Sequence, residues 1–489
     1  MSININNLCF ELPINFTYAL KAIQENGLGI IFFINSKKRL IGSFSDGDAR
    51  RSILNGEKLP LIIEINSTHY NKNPHYLPYD CNINDIWTLF DKKIKCIPLV
   101  DEKMNVVDFS TPNRIRRFSV FEPDIGDKEI SNLLECAKSG WISSQGRFIN
   151  EFEISFSKYL GGGYSVAVSN GTVALELGML SLGVGCGDEV IVPNFTFAAS
   201  INSIIRVGAK PVLVDIREDT WTIDYEYIEK FISSKTKAIM PVHIYGQSSH
   251  MSEINKIAKK FNLFVIEDAA EALGGVYKKK LIGLNSDCSC FSFFANKLIT
   301  TGEGGMVVFK SKDIAQKAII LRDHGMSKEK KYWHETAGGN FRMTNMQAGI
   351  GVAQLEKINY LYKKRKQIFE YYDANFANNK NIILLPKNSW SENSYWLYTI
   401  RLIDFNESAR DKLIANLIKR GIDARPGFYP LNQMPAYNMY SKNKEFKISS
   451  MIAYQILSLP SSTSLSKDEI NHISSIFLEE YNNLCMQLN

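Results

Sequence analysis

The sequence lacks the patterns that bind metal, cross a membrane or direct export. Its eight cysteines, at positions 9, 81, 96, 136, 186, 288, 290 and 485, include no CxxC pair, and its seven histidines are scattered. No zinc-ligand spacing results, so no metal is expected. The longest uncharged apolar stretch near the start, LGIIFFI at 28–34, is far too short to span a bilayer. The first residues carry neither a basic n-region nor a long apolar h-region. No secretory signal is expected, and the cytoplasm is the default compartment. Lysines are spread along the chain, with KKK at 278–280 and KEKK at 328–331 as local clusters. Nothing resembles a DNA-reading helix with flanking basic stripes, so nucleic acid is not an expected partner.

What is present is ordinary globular composition, 45% hydrophobic and 22% charged in 489 residues. At about 100–200 residues per domain, two to four domains are expected. The net charge of +6 fits a solvated basic surface. It also fits a field that attracts anionic ligands such as nucleotides. Cys288 and Cys290 alternate with Ser289 and Phe291, as in a buried strand. They read as reduced thiols packed as small apolar residues.

The chain changes character near residue 120. Before it, the strand-like LGIIFFINSKKRLIG is followed by SDGDARRSILNG, a turn entering a helix. IKCIPLVDEKMNVVDF at 94–109 repeats the pattern in part, as strand, acidic turn and strand. An internal duplication of a roughly 55-residue unit is expected. TPNRIRRFSVFEP at 111–123 reads as linker. Beyond it, GDEVIVPNFTF, AKPVLVDI, TKAIMPVHIYG, FNLFVIEDAA, CSCFSFFANK and GGMVVFKS are strand-like, with helical segments between many of them. That alternation implies an α/β domain with a largely parallel sheet, whose ligands sit at the carboxyl ends of the strands. After about 375, SYWLYTIRL, DKLIANLIKRG and IDARPGFYP predict a smaller α+β domain.

Four segments carry candidate chemistry. SNGTVALEL at 169–177 follows a strand and opens a helix, whose free N–H groups suit a phosphate. A plain helix cap explains Asn170 and Thr172 as well. VIEDAAEALG at 265–274 ends an apolar strand in Glu267 and Asp268. Against a pyridine ring, an ionised Asp keeps the ring nitrogen protonated and makes the ring an electron sink; against no ligand, it is an N-cap. FSFFANKLITTGEGG at 291–305 places Lys297 as the one cation between Cys288 and Val308. A lysine in apolar surroundings can lose its proton and form a Schiff base. Ser292 can bind phosphate, and the glycines at 302, 304 and 305 suit a tight turn. GGNFRMTNMQAGIG at 338–351 gathers Asn340, Arg342 and Asn345 before an apolar helix.

In this order, GDEVIVPNFTFAAS, KAIMPVHIYG, VIEDAAEALG, SFFANK with TTGEGGMV, and NFRMTN resemble the DegT/DnrJ/EryC1/StrS sugar aminotransferases. The resemblance runs from about residue 120 to the C-terminus. It implies the aspartate-aminotransferase fold (pyridoxal-phosphate fold type I), with a large domain at 120–375 and a small one at 376–489. It implies pyridoxal phosphate as cofactor, with pyridoxamine phosphate as its aminated form. Carried over by position, Lys297 holds the cofactor and moves protons, Asp268 pairs with the pyridine nitrogen, and Phe197 stacks on the ring. Thr172, the Val173 N–H and Ser292 form the phosphate cup, and Glu271 lies near the ring hydroxyl. Asn340 reaches the phosphate of the partner subunit, which implies a homodimer.

YWHETAGGNFRMTNMQAGIGVAQLEK at 332–357 and ARPGFYPLNQMPAY at 424–437 narrow the resemblance. They match the branch that uses L-glutamate to aminate C4 of GDP-4-keto-6-deoxymannose for surface polysaccharide. A UDP- or dTDP-linked ketosugar is the alternative substrate. Tyr332, Trp333, His334, Arg342 and Arg425 are candidate substrate contacts. Two departures from that branch are Ala295, where Gly is usual, and Asn432, where His is common. Dehydrating relatives carry His at the lysine position, so Lys297 argues against that chemistry.

Residues 1–119 resemble a pair of cystathionine-beta-synthase-type (CBS) modules of α+β structure. The first copy has Gly42, Ser45 and Asp48 in the G-x-x-S-x-x-D pattern. In the second, Asp108 stands for the Gly, Thr111 remains, and Arg114 replaces the Asp. The resemblance implies a regulatory nucleotide held by Ser45 and Asp48, or a purely structural pair that aids assembly into a higher oligomer.

Overall fold

The computed structural model describes residues 5–56, 59–79, 81, 83–91, 94–112, 118–327, 329–441 and 445–488. Two compact units result: Met1–Ser119 with Ala415–Asp423, and Val120–Ile414 with Ala424–Asn489.

The first unit contains two three-stranded sheets of one design. Cys9–Glu11 lies parallel to Ile30–Ile34, which pairs antiparallel with Leu40–Ser45. Leu77–Pro78 lies parallel to Ile97–Val100, which pairs antiparallel with Val106–Ser110. Both hairpins turn on the same device. Asn35 Oδ1 accepts the N–H groups of Lys37 and Arg39, and Asp101 Oδ1 accepts those of Lys103 and Asn105. Such side chains stand in for a backbone acceptor and make the turn locally. The internal duplication is therefore real but longer than expected, because it carries Asn35 onto Asp101 and Ser45 onto Thr111. Arg114 lies outside the described residues. A core of Phe16, Phe33, Phe44 and Tyr70 packs the first copy, with Phe33 and Tyr70 edge to face at 5.1 Å.

The second unit is built on a seven-stranded sheet. Its strands are β1 (Tyr164–Val168), β2 (Glu189–Pro193), β3 (Lys210–Val214), β4 (Thr236–Ile239), β5 (Phe264–Asp268), β6 (Cys288–Ser292) and β7 (Gly305–Phe309). Their order is β3-β2-β4-β5-β6-β7-β1. The pairs from β3 to β6 are parallel, while β7 is antiparallel to both neighbours. These strands are near-continuous apolar runs because helices cover both faces. The pleat then sends alternate residues to opposite cores. Ile191, Val265, Phe291 and Met306 share one core, and Val190, Ile266, Cys290 and Val307 the other. Cys288 and Cys290 are buried free thiols in that second core, as their alternation predicts.

Helix α1 (Gly171–Ser181) follows β1 and is apolar nearly all round, with Ala174, Leu175, Leu177 and Met179 buried. That pattern belongs to a helix enclosed by its neighbours. A second, antiparallel sheet of the same unit orders Ile382–Ile383, Tyr398–Leu402, Ile456–Leu459 and Arg425–Pro426 side by side. No helix among the described residues is long and apolar enough to cross a membrane.

Candidate active site

The parallel strands deliver their carboxyl ends to one edge of the sheet, and a cleft of about 1020 Å³ opens there. β5 ends in Glu267 and Asp268, whose side chains leave on opposite faces because the pleat alternates. Asp268 faces the cleft and is 5% exposed. Its Oδ2 accepts the Ser200 hydroxyl at 2.7 Å, and its Oδ1 accepts the Ala270 N–H at 3.2 Å. The Ser200 hydroxyl in turn sits 2.9 Å from that of Thr196. Burial pushes the Asp268 carboxyl up, while Ser200, the Ala270 N–H and the Lys297 charge oppose it.

Glu267 enters a dry polar cluster behind the strand. Its Oε2 lies 2.9 Å from His243 Nε2, and its Oε1 accepts the hydroxyls of Ser286 at 2.6 Å and Ser289 at 2.9 Å. His243 Nδ1 accepts the Ser249 N–H at 3.0 Å, so the ring proton sits on Nε2 and points at Glu267. Burial alone would raise the Glu267 carboxyl, but His243 and the two serines hold it below its ordinary value. The His243 N–H donates to the Asp268 carbonyl at 3.1 Å, which ties this cluster to the acid in the cleft.

Lys297 stands just beyond β6, in a turn closed by its own N–H to the Phe294 carbonyl at 2.9 Å. Its Nζ lies 3.9 Å from Glu271 Oε1 and 3.8 Å from the centre of the Trp396 ring. Burial lowers the Lys297 ammonium and raises the Glu271 carboxyl, while the charges of Glu271 and Asp268 oppose the shift at Lys297. Glu271 Oε2 accepts the Tyr245 N–H at 2.7 Å. Tyr245 takes φ 48°, a left-handed conformation that costs a non-glycine residue about 1–3 kcal/mol. Its hydroxyl accepts the Phe428 N–H at 3.1 Å, which pins the strained residue from the far side.

The start of α1 meets the end of β6 in a cradle that only glycine permits. A Cβ on Gly171 would lie 2.8 Å from Ser292 Cβ, and one on Gly305 would lie 2.5 Å from the Asn170 carbonyl oxygen. Gly305 thus serves close approach and not only the turn. Asn170 caps the helix, its Oδ1 accepting the Val173 N–H at 2.9 Å. This corrects the expected cup: the Val173 N–H is spent on the cap. Among the described residues no hydrogen bond within the chain occupies the N–H groups of Gly171 and Thr172, so these point the helix's positive end at an anion.

Of the residues singled out in the sequence, Thr172, Val173, Phe197, Asp268, Glu271, Ser292, Lys297 and Arg425 line this cleft. Asn340, Arg342, Tyr332, Trp333 and His334 do not. The segment holding Asn340 and Arg342 pairs instead with Asp323 and with Val168 of the edge strand β1. Arg342 Nε donates to Asn340 Oδ1 at 3.0 Å and its Nη1 to Asp323 at 2.6 Å. Tyr332 and Trp333 are exposed beneath Lys331 and Lys330, and His334 Nδ1 donates to the His324 carbonyl at 2.9 Å. In the first unit, Ser45 and Asp48 form a capping box on the helix Asp46–Leu54, and Arg51 pairs with Asp48. Gly42 there admits the Tyr70 ring, which a Cβ would meet at 2.4 Å. Asn432, one of the two departures, exchanges hydrogen bonds with Asn194, which precedes Phe195 at the end of β2.

A buried lysine, an acid sunk at a strand end and an anion cradle in one cleft define a pyridoxal-phosphate-dependent aminotransferase. The fit is chemical: Asp268 offers a negative charge for a ring nitrogen, Lys297 an amine for an aldehyde, and Gly171, Thr172 and Ser292 donors for a phosphate. Residues 123–477 match the model of the DegT/DnrJ/EryC1/StrS aminotransferase family, and the chain belongs to that family. It is 42% identical over 358 residues to GDP-perosamine synthase of Caulobacter vibrioides, covering 73% of this chain and 96% of the relative. GDP-perosamine synthase of Escherichia coli O157:H7 is 41% identical over 363 residues, 74% of this chain and 98% of that one. Among solved structures, the Streptococcus pneumoniae chain Spr1654, assigned as a sugar aminotransferase and solved in its PLP form, matches with a TM-score of 0.70. It is 32% identical, over 75% of this chain and 98% of its own length.

Trp396, Tyr245, Phe428 and Ser200 had not been singled out as site residues, yet all but Tyr245 and Ser200 line the cleft and those two hold its acids. Trp396 and Phe428 reach Lys297 and Phe197 from far along the chain, with no local signal. Ser200 closes the quoted run PNFTFAAS, where a hydroxyl one helical turn after Thr196 could have drawn notice.

Proposed function

We propose that this chain moves the amino group of L-glutamate to C4 of GDP-4-keto-6-deoxymannose and forms GDP-perosamine for a surface polysaccharide such as O-antigen. The placement of Lys297, Asp268 and Glu271 in one cleft carries this reading, and the likeness to GDP-perosamine synthases supports the choice of sugar. What pyridoxal phosphate supplies when bound is an electron sink for the carbon that loses its proton. Asp268 would offer negative charge to the ring nitrogen, with the Ser200 hydroxyl bonded to its Oδ2 and fixing its orientation. Lys297 takes the proton from the glutamate Cα and returns a proton at the sugar carbon, one general acid–base serving both halves. Glu271 stands beside the ring hydroxyl and shares charge with Lys297. Thr172 and Ser292, with the Gly171 N–H, bind the phosphate, and Phe197 covers the ring. Arg425 at the mouth binds the glutamate carboxylate or the sugar-nucleotide diphosphate through its planar fork.

The active form in this proposal is a cytoplasmic homodimer. Asn340, which does not line its own cleft, reaches the phosphate of the partner's, and Tyr332, Trp333, His334 and Arg342 contact substrate. Residues 1–119 act as a CBS-like pair that binds a regulatory nucleotide near Ser45 and Asp48 or builds a higher oligomer. Calorimetry with AMP, ATP, GDP and GTP separates those roles; no heat with any of them leaves assembly alone.

The test of the reaction is direct. The purified protein, L-glutamate and each of the GDP-, UDP- and dTDP-linked 4-keto-6-deoxy sugars are incubated, and products are read by mass spectrometry. An amino sugar from the GDP substrate with equal 2-oxoglutarate is expected. Amination of only the UDP or dTDP sugar would overturn the substrate assignment.

A further inference from the structure

Trp396 is 4% exposed and fixed from three sides. Its Nε1–H donates to the Asn296 carbonyl at 2.8 Å. Its own carbonyl accepts Nη1 of the buried Arg365. Its ring stacks against Tyr245, with centroids 5.9 Å apart and planes at 22°, and lies 6.4 Å from the Phe428 ring at 21°. Tyr245 and Phe428 themselves stack at 5.4 Å and 16°. A rigid aromatic wall therefore stands behind the lysine, and the Lys297 Nζ rests over its Trp396 face.

Lys297 has two needs that conflict. As a base it must be an uncharged amine, and burial favours that form. As an acid it must carry a proton at a site largely buried within the cleft, where an ammonium is less well solvated than in water. Glu271 and Asp268 attract that charge, but a carboxylate can also take the proton. A ring face attracts a cation through its quadrupole, most strongly for Trp, and has no lone pair to accept the proton. Trp396 can thus hold the charged lysine without competing for what the lysine must deliver. Through the Asn296 carbonyl it also fixes the backbone one residue before Lys297.

We propose that Trp396 is a positioning residue whose indole face receives the Lys297 ammonium each time the lysine leaves the cofactor. The proposal rests on the aminotransferase reading, in which the lysine is cofactor-bound at rest and released when the cofactor is aminated.

The test uses holoenzyme and L-glutamate without a ketosugar. Absorbance and released 2-oxoglutarate report the equilibrium between the lysine-bound and the aminated form. Wild type must first show a lysine-bound band that glutamate bleaches; failure there counts against the aminotransferase reading itself. Trp396→Leu is expected to shift the equilibrium toward the lysine-bound form by roughly 3- to 30-fold. Trp396→Phe, which keeps a face and loses the N–H, is expected to stay within about 3-fold of wild type. Melting temperature and cofactor affinity, measured alongside, are expected to remain near wild type in the Phe variant. An unshifted Leu variant overturns the proposal. A Phe variant as shifted as Leu overturns it too, because the effect then belongs to the bond with Asn296. If the Leu variant does not fold, fluorotryptophan incorporation weakens the ring face while keeping its shape. A stepwise shift with fluorine number is expected, and no dependence on fluorination contradicts the proposal.

Discussion

The two units each contain a serine hydroxyl bonded to an aspartate carboxylate at 2.7 Å. In the first unit the pair is Ser45 and Asp48, three residues apart. The Ser45 N–H donates to the same carboxylate at 2.9 Å, and Arg51 closes its other oxygen. In the second unit the pair is Ser200 and Asp268, from different elements, at the floor of a cleft. There the carboxylate keeps a side toward open volume and is raised by burial. One pair spends its hydrogen bonds on starting a helix; the other is held by the fold for something that enters. Identical chemistry and geometry thus mean different things according to which element supplies the partner and where the remaining lone pairs point.

The comparison can be broken at several points. Asp268→Asn removes the charge that matches a ring nitrogen, and turnover should fall roughly 10²- to 10⁴-fold. Steady-state rates of the purified variant check this, and near-normal turnover would make the Ser200–Asp268 pair as structural as the Ser45–Asp48 pair. Glu267→Ala leaves the His243 ring N–H without its buried acceptor and should cost about 1–3 kcal/mol of stability, measured by denaturant unfolding. Glu267 is held below its ordinary pKa in the folded state, so its contribution is full above that range and is lost as pH falls through the folded value. The gap between wild type and this variant should therefore narrow below about pH 4.

Smaller effects sharpen the contrast. Ser200→Ala deletes a bond that opposes the upward shift of Asp268, so the carboxyl should protonate at higher pH. The acid limb of kcat/KM should move up, while a limb that stays in place would remove Ser200 from the account. Ser45→Ala should cost about 1 kcal/mol through the lost cap and leave turnover unchanged. Thermal melting and the standard assay read both outcomes.

Much of this was legible in the sequence because strand ends carry local marks. The run VIED announces a buried strand that ends in acids, and FSFFANK a strand that ends in a lone lysine. The acidic turn at Asp101 is legible for the same reason, since an Asx turn is written in three or four residues, whereas the strand-like LGIIFFINSKKRLIG folds as a hairpin about Asn35. What was missed comes from pairings that no local pattern encodes. The indole over Lys297 belongs to a segment some hundred positions away, and its approach depends on the second sheet. The resemblance implies the Val173 N–H in the phosphate cup, whereas the plain cap by Asn170, legible in the same run as the alternative, is what occupies it. Motif alone makes Tyr332, Trp333, His334 and Arg342 candidate substrate contacts, whereas the segment at 340–342 pairs with Asp323 and Val168 and none of these residues lines the chain's own cleft.

The central claim is that Lys297 carries the cofactor chemistry of this cleft. Holoenzyme is reduced with sodium borohydride, digested, and mapped by peptide mass. The account predicts that the reduced cofactor is found on the peptide containing Lys297 and that prior glutamate prevents the labelling. Cofactor mass on a different lysine, or none on a protein that retains bound pyridoxal phosphate, would contradict it.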